Sequence, residues 1–278
     1  MKKNKLVSPF LKWVGGKRQL ISEISKYIPK HINTYYEPFL GGGAILFHLQ
    51  PEKAVVNDIN TELINVYNTI KDDVDDLIND LHRHKNNDDY FYSIRNLDRN
   101  KDQYSNLTNI EKASRLIYLN KTCYNGLFRV NRAGEFNTPF GNYKNPNIIN
   151  EITLRAVSDY LNNSNIKFLN LDFADAVKDA EKGDFVYFDP PYDPISSSSS
   201  FTGYDKGGFN KNEQIELKTL CDNLNKKGVK FLLSNSSTPF ILDLYKDYKI
   251  EFIKATRMIN SKANLRGEID EVLVRNYE

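Results

Sequence analysis

The apolar run Phe185-Val186-Tyr187-Phe188 stops at Asp189-Pro190-Pro191-Tyr192. A run of strand length that ends in an acid and two prolines predicts a buried strand of an α/β sheet closing in a rigid turn. In open α/β sheets, ligands sit at such strand ends. Proline has no N–H, so the Pro190 carbonyl can be aimed at a ligand. With the Asp189 carboxylate it offers two acceptors, enough for both hydrogens of a planar amino group, and Tyr192 adds a ring on which a base could stack. The set suits an exocyclic amine on an aromatic ring. In isolation the same four residues are more often a plain strand-terminating turn, so the rest of the chain decides.

With 278 residues, 40% of them hydrophobic, the chain can bury a full core, as one large domain or one domain with a substantial insert. No apolar segment approaches membrane-spanning length, and the basic start Met1 to Val7 has no signal-peptide apolar region, so the expectation is a cytoplasmic protein with no membrane partner. Cys123 and Cys221 form no C-x-x-C pair, which argues against a disulfide scaffold and a cysteine-based zinc site. A formal net charge of +2 announces no nucleic acid by itself; the clustering of basic residues matters more. His82 and His84, in a charged stretch, are expected as solvated helix residues.

Phe10-Leu11-Lys12-Trp13-Val14-Gly15-Gly16-Lys17 leads into Leu20, Ile21, Ile24, Tyr27 and Ile28, as a loop feeding a helix that ends near Pro29. A helix start suits an anion, but this is not a Walker loop, and a Gly-Gly turn with a solvated lysine reads equally well. Thr34 to Glu37, then Pro38-Phe39-Leu40-Gly41-Gly42-Gly43 and Ala44 to Leu49, read as strand, glycine turn and helix, where Gly41 and Gly43 let the backbone approach a ligand. The G-x-G-x-x-G spacing is incomplete, which disfavours a dinucleotide. The next strand, Ala54 to Asn57, ends at Asp58, roughly 20 residues on, where a carboxylate can accept from ribose hydroxyls; a structural strand-end acid is the alternative. From Asn60 to about Arg83, apolar positions keep a helical spacing.

Residues 86–146 turn rich in Tyr, Asn and Arg. After a helix over Ile110 to Asn120, Phe128 to Val130 and Glu135 to Thr138 read as hairpin arms turning at Ala133-Gly134. Lys121, Arg129, Arg132 and Lys144, interleaved with aromatics and amides, suit phosphates and base edges, although a polar surface hairpin has the same composition. Ile166 to Asp172 is a further strand ending in an acid, and Asp172 with Phe173 could hold an adenine ring by hydrogen bond and packing. Ser196 to Ser200 is a low-complexity tract, either a lid or a passive connector. A helix over Ile215 to Leu224 and a buried strand over Val229 to Asn235 follow. Two closing strands, Ile250 to Lys254 and Glu271 to Tyr277, bracket the basic residues Arg257, Lys262 and Arg266.

Taken in order, Lys12-Trp13-Val14-Gly15-Gly16-Lys17, Glu37-Pro38-Phe39 with its glycines, Asp58, Tyr124-Asn125-Gly126-Leu127-Phe128-Arg129, Pro139-Phe140-Gly141, Asp189-Pro190-Pro191-Tyr192 and Phe201-Thr202-x-Tyr204 resemble the Dam-type DNA adenine-N6 methyltransferases of the α group over nearly the whole chain. The resemblance implies S-adenosyl-L-methionine as cofactor, double-stranded DNA as partner, and methylation of the adenine N6 amine within GATC. By position it makes Trp13, Lys17, Phe39, Asp58, Asp172 and Asp189 cofactor-binding, and Lys12, Asn125, Leu127, Pro139 and Tyr143 DNA-facing. Arg129 matches an arginine that reads guanine. Relatives commonly carry Arg where this chain has Asn142, which puts one guanine or phosphate contact in question.

The expected architecture is a Rossmann-like α/β methyltransferase sheet, mostly parallel with an antiparallel C-terminal strand, plus an inserted helical and hairpin DNA-recognition domain. Residues 1–60 and 150–278 form the catalytic unit and 61–149 the recognition insert with its connecting helix. Asp189, Pro190 and Tyr192 are the expected catalytic residues. No metal is implied, and the chain is expected as a monomer or weak dimer. Methylation of RNA, protein or cytosine N4, or a non-catalytic DNA-binding regulator on this fold, are the competing readings.

Overall fold

The structure is a computed structural model that describes residues 3–195, 209–256 and 268–278. Its centre is a seven-stranded sheet: β1 (Tyr35–Glu37), β2 (Lys53–Asn57), β3 (Asn165–Leu169), β4 (Phe185–Phe188), β5 (Lys230–Ser236), β6 (Lys249–Thr256) and β7 (Glu268–Arg275), in the order β3-β2-β1-β4-β5-β7-β6. The pairs among β1 to β5 are parallel, and β7 runs antiparallel to both β5 and β6. From β1 the chain moves outward through β2 to β3, then returns to place β4 on the other side of β1. The carboxyl ends of β1 and β4 therefore flank a topological switch point, where such sheets open a crevice.

Strand periodicity sorts the core into two layers. Tyr35, Phe185, Tyr187, Leu232 and Leu273 face one, and Tyr36, Val186, Phe188, Phe231, Leu233, Val272 and Val274 face the other. The helices in chain order are α1 (Ile21–Ser25), α2 (Ala44–Leu49), α3 (Thr61–Asp72), α4 (Val74–Leu81), α5 (Asp88–Arg95), α6 (Lys101–Ser105), α7 (Asn109–Thr122), α8 (Glu151–Asn163), α9 (Phe173–Ala176), α10 (Lys211–Lys226) and α11 (Pro239–Leu244). The first layer is filled from α2, α3, α7 and α8, and the second from α9, α10 and α11. Phe91, Leu116 to Leu119, Phe128 and Phe136 share the first layer's cluster with Tyr35 and Val56, so the middle of the chain is fastened to the sheet by continuous apolar packing.

Three expectations change. The helical spacing from Asn60 to Arg83 is two helices, because Asp73 leaves the helical region at φ −134° and ψ 39° and restarts the chain at a new angle. The helix after Lys17 is shorter than its apolar pattern: a 3-10 turn, Lys17–Gln19, precedes α1. His84 is half-buried and lies past the end of α4 rather than in a helix; its ring stacks on Tyr118 at 4.3 Å and meets Tyr90 Oη at 2.9 Å and Ser114 Oγ at 3.0 Å. His82 caps α4 and stays exposed, as expected. The hairpin forms around an antiparallel bridge between Val130 and Phe136. The Ser196 to Ser200 tract, Phe201, Thr202, Tyr204, Arg257, Lys262 and Arg266 lie outside the described residues.

Candidate active site

At the carboxyl end of β1 the chain must turn sharply into α2. Gly41 (φ +49°) and Gly43 (φ +67°) take left-handed conformations that cost a side-chain-bearing residue free energy. A Cβ on Gly41 would stand 2.9 Å from Trp13 Cδ1, so the loop is also packed too tightly for a methyl group. Asp58, just past β2, accepts from Gly41 N through Oδ2 and from Asn60 N through Oδ1, both at 2.9 Å. Its neighbour Asn57, only 1% exposed, donates to the Pro38 and Leu171 carbonyls at 3.0 Å and accepts from Leu171 N at 2.8 Å. One amide thus ties the loop after β1 to the loop after β3. That second loop leads to Asp172, which is exposed and N-caps α9 through Ala174 N at 2.8 Å, and to Phe173, whose ring stacks on Phe39 at 5.4 Å.

The turn after β4 lies at the same carboxyl edge of the sheet. Lys17 is 5% exposed, and its ammonium bonds the Gly15 carbonyl at 2.7 Å, lies 2.8 Å from Asp189 Oδ1 and sits 4.7 Å from the Tyr192 ring centroid. The ammonium and the Asp189 carboxyl form an ion pair at the mouth of the turn. Burial pushes the Asp189 carboxyl above its ordinary range, and the Lys17 charge pulls it back. Tyr192 Oη donates to Glu271 Oε2 at 2.8 Å, and burial with the neighbouring Asp189 charge holds the phenol firmly protonated. The Pro191 carbonyl accepts from Gln214 Nε2 at 2.9 Å, and Gln214 is held in turn by Asn235 Nδ2 at 3.0 Å. The Pro190 carbonyl accepts no hydrogen bond among the described residues. Beside this turn Glu37 is 2% exposed; burial raises its carboxyl to about 8, and Tyr35 Oη donates to Oε2 at 2.8 Å.

On the side of the middle segment, Asn120 binds the backbone of Lys12 in both directions, at 2.9 Å and 2.7 Å, and bonds the Gly126 carbonyl at 3.0 Å. The Lys12 ammonium is 5.8 Å from the Tyr143 ring centroid. Asn125 (φ +56°) and Pro139 are exposed, and the Leu127 carbonyl accepts from Thr138 Oγ1 at 2.6 Å. Arg129 Nε donates to Asn137 Oδ1 at 2.7 Å, which fixes the guanidinium along the hairpin. Trp13 stacks on Phe128 at 4.9 Å, so the same indole that touches the glycine loop also touches the hairpin. Burial, with Arg18 and Lys12 nearby, lowers the Lys121 ammonium to about 8.

A family model described as D12 class N6 adenine-specific DNA methyltransferase matches residues 13–259. The chain belongs to this family. Over essentially its full length it is 45% identical to the type II methyltransferase M1.LlaDCHI of Lactococcus lactis subsp. cremoris, covering 100% of this chain and 98% of that one. It is 42% identical to the type II methyltransferase M.MjaIII of Methanocaldococcus jannaschii (98% and 99% covered) and 33% identical to the DNA adenine methylase of Escherichia coli K12 (98% and 95%). The protein is therefore an adenine-specific DNA methyltransferase, and its sheet is the Rossmann-like sheet of such enzymes.

For this methyltransferase the structure brings Lys17, Asp189 and Tyr192 into one cluster, Gly41 and Asp58 into a second, and Lys12 and Tyr143 into a third. Asn57 and Glu271 went unnoticed in the sequence. Asn57 carried a faint signal, a polar residue closing an apolar strand. Glu271 carried none, because its partner is 79 residues away. Among the described residues no acidic, histidine and cysteine group could hold a metal, and no helix is long and apolar enough to cross a membrane.

Proposed function

We propose that the protein transfers a methyl group from S-adenosyl-L-methionine to the N6 amine of an adenine flipped out of duplex DNA, within GATC. The observation that carries this reading is the turn after β4, where the half-buried Asp189 carboxyl and a Pro190 carbonyl with no hydrogen bond among the described residues stand beside the Tyr192 ring. The crevice fits the methyl donor. Gly41 and Gly43 leave backbone where a Cβ could not go, Asp58 places a carboxylate at the strand end where ribose hydroxyls are bound in such sheets, and Phe39 with Phe173 gives an apolar wall for adenine. Trp13, Lys17 and Asp172 complete the proposed donor site. Bound there, S-adenosylmethionine supplies an electrophilic methyl.

An amine inside a stacked duplex is out of reach, so the base must leave the stack. Asp189 and the Pro190 carbonyl accept its two N–H bonds, which turns the nitrogen lone pair toward the donor side and stabilises positive charge developing on nitrogen. Tyr192 stacks on the base. Burial raises the Asp189 carboxyl and Lys17 opposes that rise, favouring the charged form, which acts only as an acceptor. Residues 61–149 form the recognition insert on this reading. In it Arg129 reads a guanine through O6 and N7, and Lys12, Asn125, Leu127, Pro139 and Tyr143 face the DNA.

Methyl transfer by the Asp189→Ala variant to a GATC duplex tests the assignment. Loss of transfer with retained folding is expected, and an active variant would sink it.

A further inference from the structure

The hairpin that carries Arg129 has an outer edge of its own. Asn137 N donates to the Arg129 carbonyl at 2.9 Å and Asn131 N to the Glu135 carbonyl at 2.8 Å, so the two arms pair on either side of the Val130–Phe136 bridge. That pairing points the backbone N–H and C=O of Phe136 away from the partner arm, as on any edge strand. Both are taken up by consecutive residues of the turn after α5. Asp98 Oδ2 accepts from Phe136 N at 2.8 Å, and the Arg99 guanidinium donates to the Phe136 carbonyl. A carboxylate and a guanidinium thus stand in for a third strand, and they pair with each other.

The clamp is braced from behind. Arg115, 6% exposed and on α7, pairs with Asp98 Oδ2 at 2.8 Å and donates to the Ile94 and Arg95 carbonyls at 3.0 Å and 2.7 Å. This bolts the turn to the helix that also fills the first core layer. One residue beyond the clamped Phe136, Asn137 holds Arg129 by its side chain.

We propose that Asp98 and Arg99, braced by Arg115, are positioning residues for sequence recognition: they fix the hairpin edge at Phe136, and through Asn137 they fix the direction in which Arg129 presents its guanidinium. This rests on the reading of Arg129 as a guanine contact. A guanidinium that must meet two acceptors of one base edge loses discrimination once its anchor can drift by about an ångström. Neither Asp98 nor Arg99 needs to touch DNA for this.

The test compares kcat/KM on a GATC duplex with kcat/KM on duplexes changed at each single position, for wild type, Arg99→Met, Arg99→Lys and Arg129→Ala. Arg99 is partly exposed, and its loss leaves Asp98 paired with Arg115, so Arg99→Met is expected to fold. A merely structural role would lower the active fraction equally on every duplex and leave the ratios unchanged. Arg99→Met is expected to relax discrimination at the guanine read by Arg129 by about threefold or more, the size seen when a coupled residue is altered at a distance. Arg99→Lys, which keeps a donor for the Phe136 carbonyl, is expected to recover most of it. Unchanged ratios in Arg99→Met together with relaxed ratios in Arg129→Ala would overturn the clamp and leave the reading of Arg129 standing. Unchanged ratios in both would overturn the reading of Arg129 and the clamp with it.

Discussion

Lys17 and Asp189, 172 positions apart in the chain, stand 2.8 Å from each other at the carboxyl edge of the sheet, one from the loop before α1 and the other from the turn after β4. Burial acts to protonate Asp189 and the ammonium acts to keep it charged. Only the charged form offers two bare oxygens to an amine.

Removing that ammonium therefore has a direction. In Lys17→Met the Asp189 carboxyl rises further, and protonation removes an acceptor. The acidic limb of the pH profile of single-turnover methyl transfer is expected to move to higher pH. A profile that merely drops in height would show that Lys17 acts otherwise.

Tyr192 is held by Glu271 across the end of β5, between the turn after β4 and β7. Glu271→Leu removes the acceptor and frees the ring to swing, whereas Glu271→Gln keeps an oxygen for the phenol. Flipping of a fluorescent base analogue at the target position is expected to weaken in Glu271→Leu and to be retained in Glu271→Gln. Equal loss in both would point to the carboxylate charge instead.

Glu37 makes the fold itself sensitive to pH. Its carboxyl is ordinarily near 4.5 and lies at about 8 in the folded chain, because burial disfavours the charge. Below the ordinary value both states are protonated and nothing differs. As pH rises the unfolded chain loses its proton first, so stability falls until the folded carboxyl ionises too, near pH 8. Each unit of separation is worth about 1.4 kcal/mol, so the total is of the order of a few kcal/mol. Urea denaturation from pH 5 to 8 is expected to show this decline in the wild type and a flatter curve in Glu37→Gln.

Asn57→Leu replaces an amide that satisfies three backbone groups in two loops. Leaving such groups buried and unpaired costs about 1–3 kcal/mol each, less whatever water can enter. The urea midpoint is expected to fall accordingly, with affinity for the methyl donor weakened beyond the loss of folded protein.

The sequence showed most plainly what is local. The run from Phe185 to Phe188 is buried throughout and ends at the turn as expected, because continuous apolar character followed by proline leaves few alternatives. The strand, glycine turn and helix around Gly41 were legible for the same reason. The break at Asp73 was not, since the apolar spacing runs through it and only backbone angles differ. His84 misled because its partners Tyr90, Ser114 and Tyr118 arrive from α5 and α7. The Asp98 and Arg99 clamp was hidden likewise, as two charges in a charged turn look solvated until the hairpin closes on them.

On the proposed reading, the site at the carboxyl edge of the sheet methylates adenine N6 within GATC. Expression in a host free of DNA methylation, followed by mapping of every modified base, tests it most directly. N6-methyladenine confined to GATC is expected in cells carrying the wild type; methyl groups on cytosine, or on adenine in a different sequence, would contradict the proposed function.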